Sequence, residues 1–66
     1  MMKLSPRERE VLILLMEKGR LPLVAKTLGR SVHTVQSHKT SIMRKLHAAN
    51  SVEMIVTAIR KGLVTP

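Results

Sequence analysis

Apolar side chains recur every three or four residues along most of the chain, which is the spacing of amphipathic α-helices. The pattern divides into four segments, at about residues 6–18, 22–28, 32–46 and 51–61. Glycine follows the first, second and fourth segments, where a left-handed residue ends a helix without a steric penalty. We therefore expect an all-α fold, a compact four-helix domain that makes up the whole chain, residues 1–66.

Capping residues indicate where these helices begin. Ser5 precedes Pro6, which suits the first helical position, and Glu8 stands where a capping box needs its acid. Either Asn50 or Ser51 is the expected cap of the fourth helix. The second helix has no capping residue in its sequence, so its start is the least well marked.

The apolar positions predict one buried face for each of the first three helices and an apolar stripe on the fourth. Because the chain has no Phe, Trp or Tyr, aliphatic side chains and Met must form the core. The positions are Val11, Leu12, Leu14, Leu15 and Met16; Leu21, Val24, Ala25 and Leu28; Val35, Ile42 and Leu46; and the stripe Val52, Ile55, Val56 and Ile59, with Met54 and Ala58 beside it. After Gly62, Leu63 and Val64 are expected to fold back.

The second and third helices are joined by a short turn. In Gly29-Arg30-Ser31 the glycine can adopt a positive φ and the serine can cap the next helix. Ala25 is small enough for a close helix crossing, and Val35 is placed to pack back against it. Two short helices joined by such a turn are the sequence form of a helix-turn-helix.

The third helix has a polar face opposite its apolar one. Twelve Lys and Arg stand against four acids, for a net charge of +8, and no acid lies between Lys18 and Val52. A face of short hydrogen-bonding side chains in basic surroundings fits the major groove of DNA. The face comprises His33, Gln36, Ser37, Thr40 and Arg44.

Within this face, Gln36, Ser37 and Thr40 are the expected base contacts, since they lie in the N-terminal half of the helix. A bidentate Gln–adenine pair is worth about 1–3 kcal/mol of discrimination. Surrounding side chains are expected to contact phosphates, which sets register but carries no base code. These backbone candidates are Lys26, Arg30, His33, His38, Lys39, Arg44 and Lys45.

Other function classes lack the residues that they need. Four scattered carboxylates, no Cys and no Gly-rich phosphate loop predict neither an enzyme nor a cofactor. His33 and His38 would lie about 140° apart around a helix, unlike an i,i+4 zinc pair, so no metal site is expected. The longest apolar run, 11–16, is too short to cross a bilayer, and we expect a cytoplasmic, nucleoid-associated protein with no membrane partner.

Short runs along the whole chain match one known family in order and spacing. They are Leu4-Ser5-Pro6-Arg7-Glu8-Arg9-Glu10-Val11-Leu12, Val24-Ala25, Leu28, Ser31, Thr34-Val35, His38, Ile42, Lys45-Leu46, Ala58 and Gly62-Leu63-Val64. Through these residues the chain resembles the LuxR-type (NarL/FixJ-like) helix-turn-helix domain of bacterial transcription regulators. The Thr-Val pair followed ten residues later by Lys-Leu is the most specific part.

The resemblance implies sequence-specific binding of double-stranded DNA for transcription regulation, with the third helix in the major groove. It places Gln36, Ser37 and Thr40 at base-contacting positions. It gives Glu8 a structural capping role. It places Thr34, His38, Lys39 and Lys45 near the DNA backbone. Ser31 is a further candidate for a backbone contact.

The resemblance also implies partners. The fourth helix supports a homodimer on two-fold half-sites, and Val52, Val56 and Ile59 are the expected interface. RNA polymerase is a candidate partner, and an N-terminal receiver or sensing domain is the expected regulator. The sequence is interpreted either as an excised effector domain, with Met1 or Met2 as an added start, or as a short regulator controlled by its own concentration.

The chain departs from the family pattern at three places. Arg20-Leu21-Pro22-Leu23 stands where a Ser or Thr cap and an acid are usual, Ser51 stands where Arg is common, and Gln36 stands where Lys is frequent. The last change is expected to shift base preference.

Two rival functions remain open, and a third is disfavoured. A helical adaptor would dock an acidic protein on the stripe of the fourth helix. A sigma-factor-like promoter reader is the second, because the opening Ser5-Pro6-Arg7-Glu8-Arg9-Glu10 is found in that group as well. A membrane-surface amphipathic peptide is disfavoured, because Gly and Pro divide the chain into short helices.

Overall fold

The computed structural model describes residues 3–65, and the regular structure of that range consists of four helices. They are α1 (Pro6–Lys18), α2 (Leu21–Leu28), α3 (Val32–Lys45) and α4 (Ser51–Arg60). The predicted all-α fold is confirmed, with a one-residue correction at three ends: α2 begins one residue earlier, and α3 and α4 each end one residue earlier. The expectation about Met1 or Met2 lies outside the described residues.

Side-chain caps fix the starts of α1 and α4. The Ser5 hydroxyl accepts the Glu8 N–H at 3.1 Å and the Glu8 carboxylate accepts the Ser5 N–H at 2.8 Å, which completes the predicted capping box. At α4 the cap is Asn50 rather than Ser51, because its side-chain oxygen accepts the Glu53 N–H at 2.8 Å. Each cap satisfies an N–H that the helix itself leaves unpaired.

The connection between α2 and α3 has the predicted turn geometry. Gly29 ends α2 with φ 66°, a left-handed conformation that glycine adopts without a Cβ penalty. Ser31 then caps α3, since its hydroxyl accepts the Thr34 N–H at 3.1 Å. The start of α2 carries no side-chain cap, as its sequence predicts.

The third helix is the centre of the fold, because α3 packs against each of the other three helices. Val35 and Ile42 on its inner face are fully buried, and Leu46 follows at 8% exposure. These three side chains meet Val11, Leu12, Leu15, Val24 and Ala25, so the predicted inner face of α3 is confirmed. Leu14, Met16, Leu21 and Leu28 are partly buried around this cluster.

The fourth helix contributes its fully buried core residues from beside the predicted stripe. Met54 and Ala58, one turn apart, are fully buried, whereas Val52 is 72% exposed and Val56 42% exposed. Ile55 and Ile59 are partly buried against the core. Because α4 packs on α3, its Met54–Ala58 edge faces inward. This corrects the predicted placement of these two residues beside the stripe. Beyond Gly62, Val64 is buried, so the chain folds back as predicted.

Candidate nucleic-acid interface

The outer face of α3 is a polar surface held in place by the apolar face behind it. Because Val35 and Ile42 are fully buried, the rotation of the helix about its axis is fixed and the opposite side chains face outward. The five residues predicted for this face are all exposed and line one shallow groove together with the half-buried Ser41: His33, Gln36, Ser37, Thr40 and Arg44.

The cap and the turn order the N-terminal end of this surface. The Ser31 and Thr34 hydroxyls lie 3.0 Å apart and form a hydrogen bond, in addition to the cap bond between Ser31 and the Thr34 N–H. The Arg30 N–H donates to the Ala25 carbonyl at 3.0 Å, which joins the turn to the last turn of α2. The polar face therefore begins on a hydrogen-bonded segment.

The predicted backbone-contact residues lie along α2, the turn and α3, and they differ in exposure. Lys39, His38 and Lys45 are half-buried. The exposed members are Lys26, Arg30, Ser31, His33, Thr34 and Arg44. His33 and Arg44 also line the groove itself, one near each end of α3.

Lys45 has an internal partner that its sequence position does not reveal. Its ammonium lies 2.7 Å from Glu8 Oε1 and donates at 3.4 Å to the carbonyl oxygen of Lys3. Its side chain is 30% exposed and that of Glu8 7% exposed. Two of the three ammonium N–H groups thus serve the protein itself.

Glu8 is the acceptor that ties α1 to α3. The residue is only 5% exposed. Its carboxylate accepts hydrogen bonds from the Ser5 N–H at 2.8 Å, the Lys45 ammonium at 2.7 Å and the Ser41 hydroxyl at 2.6 Å. Burial raises the pKa of Glu8, but the hydrogen bonds from Lys45, Ser41 and Ser5 and the charge of Lys45 together lower that pKa to about 2. The carboxylate is ionised at neutral pH, and its role goes beyond the predicted cap.

The acidic residues lie away from α2 and α3 in the sequence, and three of them have defined partners. Glu10 pairs with Arg7 at 2.9 Å along α1, and Glu53 accepts the Ala49 N–H at 3.1 Å beside the cap of α4. With Glu8 held by Lys45, the basic residues of α2, the turn and α3 have no acid within their own segments. Such a surface attracts anions.

A side-chain hydrogen bond lies within the groove itself. Gln36 Nε2 donates to Thr40 Oγ1 at 3.2 Å, one turn further along α3. The two residues share one helix face because they are four positions apart. Two of the three predicted base-contacting side chains are therefore linked to each other.

The predicted dimer residues differ in accessibility. Val52 and Val56 are exposed on α4, at 72% and 42%, as an intermolecular contact needs. Ile59 is half-buried and packs against the core, so only part of its side chain is accessible.

Residues 3–65 contain neither a metal-ligand cluster nor a membrane-spanning helix. No group of three or more His, Cys, Asp or Glu in that range is placed to hold a metal ion. No helix of that range has both the length and the apolar character needed to span a membrane.

Known proteins with similar sequences are described as regulatory proteins. The family model "Bacterial regulatory proteins, luxR family" matches residues 2–58. The "Uncharacterized response regulatory protein YgeK" of Escherichia coli (strain K12) is 36% identical over 63 residues, which cover 96% of this chain and 43% of that protein. The "Transcriptional regulatory protein RcsB" of the same strain is 42% identical over 53 residues, which cover 80% of this chain and 24% of that protein.

The chain thus spans less than half the length of these two relatives. No solved structure is a significant match. The family match covers α1, α2, α3 and most of α4, and it confirms the resemblance drawn from the sequence. The chain belongs to the luxR family of bacterial regulatory proteins, as a LuxR-type helix-turn-helix domain of the kind used in DNA-binding transcription regulation.

Proposed function

We propose that α3 enters the major groove of double-stranded DNA and that Gln36, Ser37 and Thr40 contact base edges. The supporting observation is the exposed polar groove on α3, which the buried Val35 and Ile42 behind it hold outward. An α-helix with its side chains is about 10–12 Å wide and the major groove is about 12 Å wide, so this face fits as it stands.

Phosphate contacts follow from the cations around the groove. Residues on α2, in the turn and along α3 would contact the DNA backbone. They are Lys26, Arg30, Ser31, His33, Thr34, His38, Lys39, Arg44 and Lys45. Lys45 contributes through the donor that remains after Glu8 and Lys3 are satisfied. These contacts set register and supply affinity for any sequence.

The chain acts, in this proposal, as the output domain of a longer response regulator. Its relatives are described as response regulatory and transcriptional regulatory proteins, and the chain matches less than half of each. An N-terminal receiver or sensing domain would regulate it in the cytoplasm, at the nucleoid, with RNA polymerase as a further partner. The exposed Val52 and Val56, with Ile59 at the margin, would pair two copies on two-fold half-sites.

Salt-dependent DNA binding tests this proposal. For each tenfold rise in salt concentration, the binding constant for duplex DNA from a random pool should fall by about 0.9 logarithmic units per phosphate contact. The retained duplexes should share a motif. Lys39→Ala should weaken all sequences alike and lower the slope by about one, whereas Gln36→Ala should relax base preference at constant slope.

Lys61→Ala is the matched control, because it removes a cation at the end of α4, outside the proposed interface. It should leave the salt slope unchanged. A flat slope for the unmodified chain would contradict the proposal and favour an adaptor that binds an acidic protein. Equal loss by Gln36→Ala on every sequence would contradict the assignment of Gln36 as a base contact.

A further inference from the structure

The hydrogen bond between Gln36 and Thr40 is unlike the threonine contact on α2. Thr27 on α2 donates its hydroxyl to the Leu23 carbonyl at 2.9 Å, which is the common backbone partner of a helical threonine. Thr40 instead accepts a bond from the Gln36 amide at 3.2 Å, and both residues are exposed in the groove. The bond therefore restrains the exposed Gln36 side chain, which the fold does not otherwise restrain.

This bond determines what the Gln36 amide presents. A glutamine amide has two N–H donors and one carbonyl acceptor in one plane. When one N–H is held by Thr40 Oγ1, the second N–H and the carbonyl oxygen remain as a neighbouring donor and acceptor.

This inference rests on the proposed function above and changes one role in it, that of Thr40, from a base contact to a positioning residue. We infer that Thr40 holds the Gln36 amide to read adenine. In the major groove adenine offers an acceptor, N7, beside a donor, N6, which complements one N–H and one carbonyl oxygen. Guanine offers two acceptors at these positions, cytosine a donor and thymine an acceptor with a methyl group. The held amide thus matches one base and leaves a polar group unpaired on the others.

The expected size of the effect follows from two costs. A bidentate Gln–adenine contact corresponds to about 5- to 150-fold discrimination against the wrong base. Ordering a free, flexible side chain on binding reduces affinity by about 2- to 10-fold, which the Thr40 bond removes in advance. Loss of the Thr40 hydroxyl should therefore reduce adenine preference by about 2- to 10-fold.

The experiment starts from the motif that the unmodified chain selects from random duplex DNA. The base pair read by Gln36 is the one whose preference Gln36→Ala abolishes, and the readout is the ratio of Kd values for guanine and adenine there. Thr40→Val should lower this ratio about 2- to 10-fold, and Thr40→Ser should restore it. Thr27→Val, the same chemical change at an exposed threonine of α2, is the matched control and should leave the ratio unchanged.

Two further measurements separate positioning from direct contact. In Gln36→Ala/Thr40→Val the ratio should equal that of Gln36→Ala alone, because Thr40 acts through Gln36. An operator with 7-deazaadenine at the same position, which lacks N7, should bind the unmodified chain more weakly and affect Gln36→Ala little. Far-UV circular dichroism should show equal helix content in all variants.

The outcomes are distinct. An unchanged ratio in Thr40→Val, additive effects in the double variant, or a preference change only at another base pair would overturn the inference while sequence-specific binding stands. If the unmodified chain selects no motif, the proposed function fails and the inference fails with it.

Discussion

Glu8 is the single carboxylate whose removal should most affect stability, and Glu8→Gln is the perturbation that tests this. The carboxylate accepts bonds from Lys45 at 2.7 Å, Ser41 at 2.6 Å and the Ser5 N–H at 2.8 Å. Glutamine keeps the size but has no charge, and one of its two polar atoms is a donor that meets another donor. Removing one member of a buried ion pair costs about 3–5 kcal/mol.

The expected cost is smaller than that range because Lys45 is partly in water. Its side chain is 30% exposed, so the ammonium retains some hydration once the carboxylate is gone. We expect Glu8→Gln to lower the free energy of unfolding by about 2–3 kcal/mol at neutral pH. At about 4–8 °C per kcal/mol for a domain of this size, Tm should fall by about 8–24 °C.

Far-UV circular dichroism is the suitable assay, because the chain has no Trp or Tyr for fluorescence. Urea unfolding of the unmodified chain and the variant gives the difference directly. Glu10→Gln is the matched control, since Glu10 makes an exposed i,i+3 pair with Arg7 worth at most about 0.5 kcal/mol. A loss below about 0.5 kcal/mol for Glu8→Gln would refute the assignment of Glu8 as the link between α1 and α3.

The pH dependence of stability gives an independent test of the same group. The pKa of Glu8 is lowered from 4.5 to about 2 in the folded protein, so the folded state binds fewer protons than the unfolded state between these values. Its stabilisation is complete above the unfolded value and is lost as the pH falls toward 2. The stability difference between the unmodified chain and Glu8→Gln should shrink over this interval, and a constant difference would contradict the assignment.

Three further changes test other parts of the fold. Asn50→Ala removes the cap of α4 and should lower the free energy of unfolding by about 1 kcal/mol, seen as a lower urea midpoint at constant m. Gly29→Ala meets no atom within 4 Å, so only its φ of 66° opposes the change, and the same urea titration should show a loss of about 1–2 kcal/mol. Val52→Lys alters a side chain that is 72% exposed and should leave Tm unchanged while sedimentation shows one copy instead of two on operator DNA.

The sequence predicted α3 well because that helix has few apolar residues. Val35, Ile42 and Leu46 leave one choice for the inner face, and the structure buries all three. The fourth helix has apolar residues on several sides, so its rotation depends on how it packs against α3. Met54 and Ala58 are buried for that reason, and periodicity along α4 alone did not distinguish them from Val52 and Val56.

Contacts distant in sequence were the other part that the pattern did not reveal. Glu8 was predicted as a cap because its partner Ser5 is three residues away. Its bonds to Ser41 and Lys45 span 33 and 37 residues and exist only because α1 crosses α3. The Gln36–Thr40 bond is allowed by the i,i+4 spacing, but the direction of donation depends on side-chain conformation.

The most direct test of DNA binding through α3 is to follow the backbone amide signals of the 15N-labelled chain by NMR while the selected operator duplex is added. We expect the largest shift changes in the turn and along α3, at residues 29–44, and small changes at residues 13–17 on α1. If the largest changes instead fall on α1 or on the exposed residues of α4, while α3 is unaffected, the proposed mode of DNA binding is wrong.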